Sequence, residues 1–218
     1  LEPRFLFGIK GDVRNNCFFL EDNRVLYPCG HNIVIYHTDE KTQKYIPGVE
    51  GSEGISALAL SPSKKFLAVA ETAERAICCV YDLHTMKRKR IITSSDYQSK
   101  SFLSLAFAPS AEKSLLVTLT SEPDMKIIVW YWDKAKFMAQ QQVTGLSASP
   151  SSMQVSFHNT DQNIIMLTGN NCFKQYRIQD GNQMKATHPA MGKKDANISS
   201  NYTCHLWLPD GKLLVCTD

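Results

Sequence analysis

An all-β fold, a β-propeller segment built from repeated four-stranded units, is predicted by three observations. Short apolar strings that look alike recur at a period of roughly 40–50 residues, the mark of a repeat architecture. Each string runs into a turn and then directly into a second apolar run rich in branched side chains. Nowhere do apolar residues keep the spacing of an amphipathic helix over three turns. A β-sandwich with a coincidental pattern is the alternative.

The first strands are Ala57–Pro62, Leu103–Pro109, Gln154–Asn159 and Cys204–Pro209, with Leu60, Phe107, Phe157 and Trp207 in register. Cys17–Asp22 places Phe19 at the same point one unit earlier. The turns that follow, such as Ser61–Lys65, Ala108–Lys113, His158–Asn163 and Pro209–Lys212, are rich in Pro, Asp, Asn and Gly, which favour turn dihedrals. Second strands are Phe66–Ala70, Leu115–Thr120, Ile164–Thr168 and Leu213–Thr217. Third strands end in an aromatic: Ile33–Tyr36, Ile77–Asp82, Ile127–Asp133 and Phe173–Tyr176. Fourth strands are Lys44–Ile46, Arg90–Ile92, Lys136–Ala139 and Gln183–Lys185, polar because charge on an outer edge discourages edge-to-edge pairing. Residues 1–218 thus divide into blades at about Asn16–Val49, Ile55–Thr93, Phe102–Val143 and Met153–Thr187, with part of a fifth from Tyr202 to Asp218. Arg4–Ile9 is expected to be a strand completing the last blade of a closed ring.

Composition narrows the class. Of 218 residues, 43% are apolar and 21% charged, as in ordinary globular chains. The net charge of +3 is too mild to point to nucleic acid or an anionic membrane as the main partner. No run approaches the ~18 apolar residues of a transmembrane helix. Seven cysteines in no framework spacing, mostly within apolar runs, fit a reducing compartment. The sequons at Asn197 and Asn201 are three-residue matches that recur by chance.

Catalytic and metal chemistry find little support. The histidines His31, His37, His84, His158, His188 and His205 form no His-Glu-x-x-His and no metal spacing with cysteine. Cys78 and Cys79 are strand neighbours, so they point to opposite faces. The glycine-rich stretch Gly48–Gly54 carries two acids and precedes a strand, so it reads as a connecting loop rather than a phosphate cradle. Asp82 and Asp133 end strands at equivalent positions and read as turn stabilisers. The inner strand starts, Cys17, Ser56, Ser104, Gln154 and Thr203, offer no acid, base or metal set for a central channel. Trp130, Tyr131 and Trp132, with Phe5, Phe7, Phe18 and Phe19, read as core. Neither an enzyme nor a cofactor is expected.

Tyr81-Asp82 and Trp132-Asp133 resemble the signature dipeptide of the WD-repeat family, in degenerate form. Tyr36 and Tyr176 keep the aromatic without the Asp, and the family's Gly-His dipeptide is missing, which puts its usual hydrogen-bond network in question. A narrower resemblance, to the WD-repeat proteins of motile cilia, is carried by Lys44–Gly48, Leu58–Pro62, Phe66–Thr72, Lys87–Arg90, Phe102–Pro109, Gln154–Phe157 and Thr168–Asn170 in order. It implies the N-terminal part of a WD-repeat propeller, four full blades and part of a fifth, from a larger ring. It further implies a non-catalytic scaffold on axonemal doublets, with partners among the inner dynein arms, the nexin-dynein regulatory complex and tubulin. A non-ciliary WD-repeat scaffold is the alternative.

One basic cluster stands out: Lys87, Arg88, Lys89 and Arg90. It reads as a solvated hairpin between third and fourth strands or, functionally, as an electrostatic contact with an acidic surface such as a tubulin tail. An open array of blades leaves two faces uncovered. At ~25 cal/mol/Å² and ~400 Å² each, roughly 10 kcal/mol per face is forgone, so the isolated segment is expected to aggregate or to pair with another chain.

Overall fold

The computed structural model describes residues 4–110, 114–145, 153–180, 183–187, 189 and 201–218. The turn residues Ala111, Glu112 and Lys113, together with His188 and the Asn197 sequon, lie outside them. Four antiparallel four-stranded sheets follow one another along the chain, each with its strands in sequence order. The first comprises β1 (Phe18–Glu21), β2 (Arg24–Cys29), β3 (Asn32–His37) and β4 (Thr42–Pro47). The second comprises β5 (Gly54–Leu60), β6 (Phe66–Thr72), β7 (Ile77–Asp82) and β8 (Lys87–Ile92). The third comprises β9 (Phe102–Phe107), β10 (Leu115–Thr120), β11 (Lys126–Tyr131) and β12 (Lys136–Gln142). The fourth comprises β13 (Gln154–Phe157), β14 (Ile164–Gly169), β15 (Cys172–Ile178) and β16 (Met184–Thr187). A two-stranded sheet, β17 (Tyr202–Trp207) and β18 (Leu213–Thr217), comes last.

The stacking explains the branched runs. The second strands β6, β10 and β14 lie inside their sheets and are covered on both faces, so every residue of β10 is buried. One apolar cluster fills each gap between neighbouring sheets. Leu26, Ile33 and Ile46 of the first meet Leu58, Leu67 and Cys79 of the second. Ala68, Cys78 and Val80 meet Phe102, Leu116 and Trp130 of the third. Val117, Ile127 and Val129 meet Val155, Ile165 and Tyr176 of the fourth. Cys78 and Cys79 fall in different clusters, as strand alternation requires.

Side chains also tie the inner strands together. Ser104 Oγ accepts from the Val155 amide at 3.1 Å. Gln154 pairs with the main chain of His205 through both ends of its amide, at 2.9 and 3.0 Å. Arg14 forms a parallel bridge with Ala57 and donates to the Thr203 carbonyl at 3.1 Å, linking the beginning of the array to its two-stranded sheet.

Several expectations are corrected. Arg4–Ile9 forms no strand. Gln43 holds Leu6 by its amide and carbonyl, at 2.8 and 3.0 Å, and Phe5 lies edge-on to Tyr36, so the segment lies along the first sheet. Phe7 and Phe19 are not core: they are 84% and 65% exposed, while Phe5 is 40% exposed. Each lies where no neighbouring sheet covers it. Trp130 is buried, whereas Tyr131 and Trp132 are only half-buried. The strand β11 stops at Tyr131, so Trp132 opens the turn. The strand β2 was not anticipated, because Tyr27-Pro28-Cys29 breaks the branched pattern.

Candidate partner-binding surface

In an up-and-down sheet, the first and third turns project at one end and the second turn at the other. The two ends of this array differ chemically. At the first end the basic run is not a hairpin, as the sequence suggested, but most of β8 itself. The turn before it is Leu83–Met86, and Lys87, Arg88, Lys89 and Arg90 are all exposed along the outer edge. Arg90 Nε donates to the Asp133 carbonyl of the third sheet, so the run reaches the β11–β12 turn.

Three further lysines from distant positions lie at the same end, beside the turn that leads into β8. Lys44 of β4 and Lys64 and Lys65 of the β5–β6 turn line a groove of about 540 Å³ with Arg24, Ile35 and His84. The acid in its lining, Glu21, is hydrogen-bonded by Arg24, which with Lys64 nearby holds its carboxyl below the usual range. Asp82 accepts from the His84 and Thr85 amides at 3.0 and 3.1 Å. The Thr85 bond above all, then that from His84 and the nearby Lys65 and Lys89, lower its pKa against burial. Asp82 is thus the turn stabiliser the sequence suggested. Asp133 differs: its Oδ1 is buried without a hydrogen-bond partner, and its main-chain oxygen takes Arg90.

At the opposite end two carboxylates, Glu71 and Asp124, are held by donors within the chain. Glu71, 1% exposed, accepts from the Val49 amide at 2.9 Å, from the Ser52 hydroxyl and from His31 Nε2 at 3.1 Å. One sheet on, Asp124 Oδ2 accepts the Gln98 and Ser99 amides at 2.7 and 2.8 Å and the Ser99 hydroxyl at 2.7 Å. Burial pushes Asp124 up, but the Ser99 and Gln98 hydrogen bonds, with Lys126 nearby, outweigh it and lower its pKa. Ser52 and Ser99 each precede a first strand and meet a carboxylate beside the second turn. The network that the missing Gly-His put in question is therefore built with serine. In the third sheet it is accompanied by Trp130 Nε1 donating to Thr118 Oγ1 at 3.0 Å.

Ser52, His31 and Glu71 invite comparison with a catalytic triad. A general-base relay needs the nucleophile and the carboxylate on opposite ring nitrogens. Here both meet Nε2, so the cluster is a knot that anchors the Gly48–Gly54 crossover. Gly48 is required there: a Cβ would come within 2.2 Å of the His31 ring. His205 is a second buried knot, with Nε2 2.7 Å from Ser156 Oγ and Nδ1 2.7 Å from Thr168 Oγ1. Burial, helped by the Arg14 cation, lowers its pKa to about 4. Among the described residues, no three His, Cys, Asp or Glu side chains gather as a metal site.

Repeated four-stranded sheets stacked on apolar faces, with aromatics closing the third strands, define the fold class: a segment of a β-propeller. No family model matches the chain. Its sequence resembles cilia- and flagella-associated protein 57 of Mus musculus, 33% identical over 216 residues, covering 98% of this chain and 16% of that protein. It is likewise similar to cilia- and flagella-associated protein 57 C of Tetrahymena thermophila, 28% identical over 92% of this chain and 16% of the relative. Echinoderm microtubule-associated protein-like 2 of Rattus norvegicus is 22% identical over 85% of the chain and 29% of its own length. The chain thus spans about a sixth of the length of the two ciliary relatives.

Proposed function

We propose that the chain is part of a non-catalytic scaffold of the motile-cilium axoneme, supporting inner dynein arm assembly or regulation on doublet microtubules. Residues 1–218 contribute the opening blades of a larger propeller, and the remaining blades are their first partners. The observation that carries this reading is similarity along nearly the whole chain to cilia- and flagella-associated proteins of a mammal and a ciliate. Stacked sheets suit the role, because a rigid scaffold presents turns and edges to several partners at once.

The contact we assign to Lys87, Arg88, Lys89 and Arg90, extended by Lys44, Lys64 and Lys65, is with an acidic protein surface. Tubulin is the first candidate, and a relative named for microtubule association favours it. The inner dynein arms and the nexin-dynein regulatory complex are the further partners proposed. Fractionation of motile cilia tests the reading: after a detergent wash at low salt, the protein is expected on the axoneme. Its absence from cilia would leave a non-ciliary WD-repeat scaffold in its place.

A further inference from the structure

The basic groove has a neighbour. Between the second and third sheets, at the same end, Phe66, Phe107 and Trp132 wall a cavity of about 410 Å³, with Pro62, Pro109 and Leu115 among its other apolar lining and four serines beside them. The Trp132 ring lies 4.7 Å from Phe66 and edge-on to Phe107 at 5.8 Å, so the three rings form one aromatic wall. Its size falls within the roughly 300–1,000 Å³ of small-ligand sites.

Cavity and groove are adjacent. Ser63 lines both, and the turn that carries Lys64 and Lys65 is the ridge between them. The Lys65 ammonium sits 5.4 Å from the centre of the Phe66 ring, joining the charged side to the aromatic one. On the far side Arg90 holds the main chain of Asp133, next to Trp132. Cations therefore flank an aromatic hollow. Binding energy concentrates where a bulky side chain fills such a pocket, while rim charges steer the approach.

We infer that this end of the blades seats an extended acidic peptide segment carrying one bulky apolar side chain, its carboxylates along Lys44, Lys64 and Lys65 and its anchor in the Phe66–Phe107–Trp132 cavity. The inference rests on the acidic-surface reading above and adds the anchor to it. Charge complementarity selects the occupant. The groove's own acid is committed to Arg24, and an apolar ligand without carboxylates would leave the lysines unanswered.

The test uses the full-length protein and two fluorescein-labelled peptides of about ten glutamates, one with a central phenylalanine and one with alanine there. Fluorescence anisotropy is expected to show the phenylalanine peptide binding about tenfold more tightly. The double variant Lys64→Glu, Lys65→Glu is expected to abolish salt-sensitive binding of both peptides. Trp132→Ala is expected to remove only the phenylalanine advantage, and the peptide pair reports on the pocket even if that variant fails to fold. Equal, salt-sensitive binding of the two peptides would overturn the anchor while sparing the acidic-surface reading. Binding of neither would overturn both.

Discussion

The two ends of the blades are made by the same strands and do opposite things with charge. At one end Glu71 and Asp124 are surrounded by amide and hydroxyl donors from the preceding crossover. At the other, the lysines of the β5–β6 turn and the cations of β8 stand exposed around a groove and an aromatic hollow. Buried charge that finds its donors within the chain holds the fold together. Exposed charge that costs the fold little is available to a partner. The difference is why the proposed contact is placed at the basic end, while Glu71 and Asp124 are read as anchors of the fold.

The sharpest way to break that comparison is Glu71→Ala. It leaves the Val49 amide and Ser52 without their acceptor inside the structure and is expected to cost about 4 kcal/mol in chemical denaturation. A loss below about 1 kcal/mol would mean that the carboxylate end is not a structural anchor.

A pH titration of stability comes next. The His205 imidazole is held neutral by burial, with its pKa near 4 against an ordinary value of 6.5. The unfolded chain therefore binds the extra proton first. The contribution is complete above pH 6.5 and declines as pH falls towards 4, by about 3 kcal/mol in all. His205→Gln should flatten that part of the profile; an unchanged slope would show that another group sets it. The smallest expected effect is at the basic end. Lys64→Ala with Lys65→Ala should move stability by no more than about 0.5 kcal/mol each, measured by the same denaturation.

Sequence order exposed the repeat but not what the repeat assembles. Runs such as Leu115–Thr120 and Ile164–Thr168 were legible because a strand covered on both faces is branched throughout. The strand β2 was not, because Pro28 reads as an edge or a break, although its carbonyl serves the Lys10 amide at 2.8 Å. Of the proposed binding surface, the run Lys87–Arg90 was visible as a string. Its extension was hidden, because Lys44 belongs to one sheet and Lys64 and Lys65 to the next, and only stacking brings them together. Trp132 looked like core because it follows two aromatics in a strand. The strand ends one residue earlier, which turns the indole into a pocket wall. Ser52 and Ser99 carried no motif, since a serine that donates to a carboxylate is recognised only by the carboxylate it meets.

Microtubule co-sedimentation across a salt series tests the central assignment most directly. It would compare the full-length protein with its Lys87→Ala, Arg88→Ala, Lys89→Ala, Arg90→Ala variant. The account expects binding that weakens steeply with salt and falls severalfold in the variant at every salt concentration. Equal, salt-insensitive binding by both proteins would contradict it and move recognition away from the basic end.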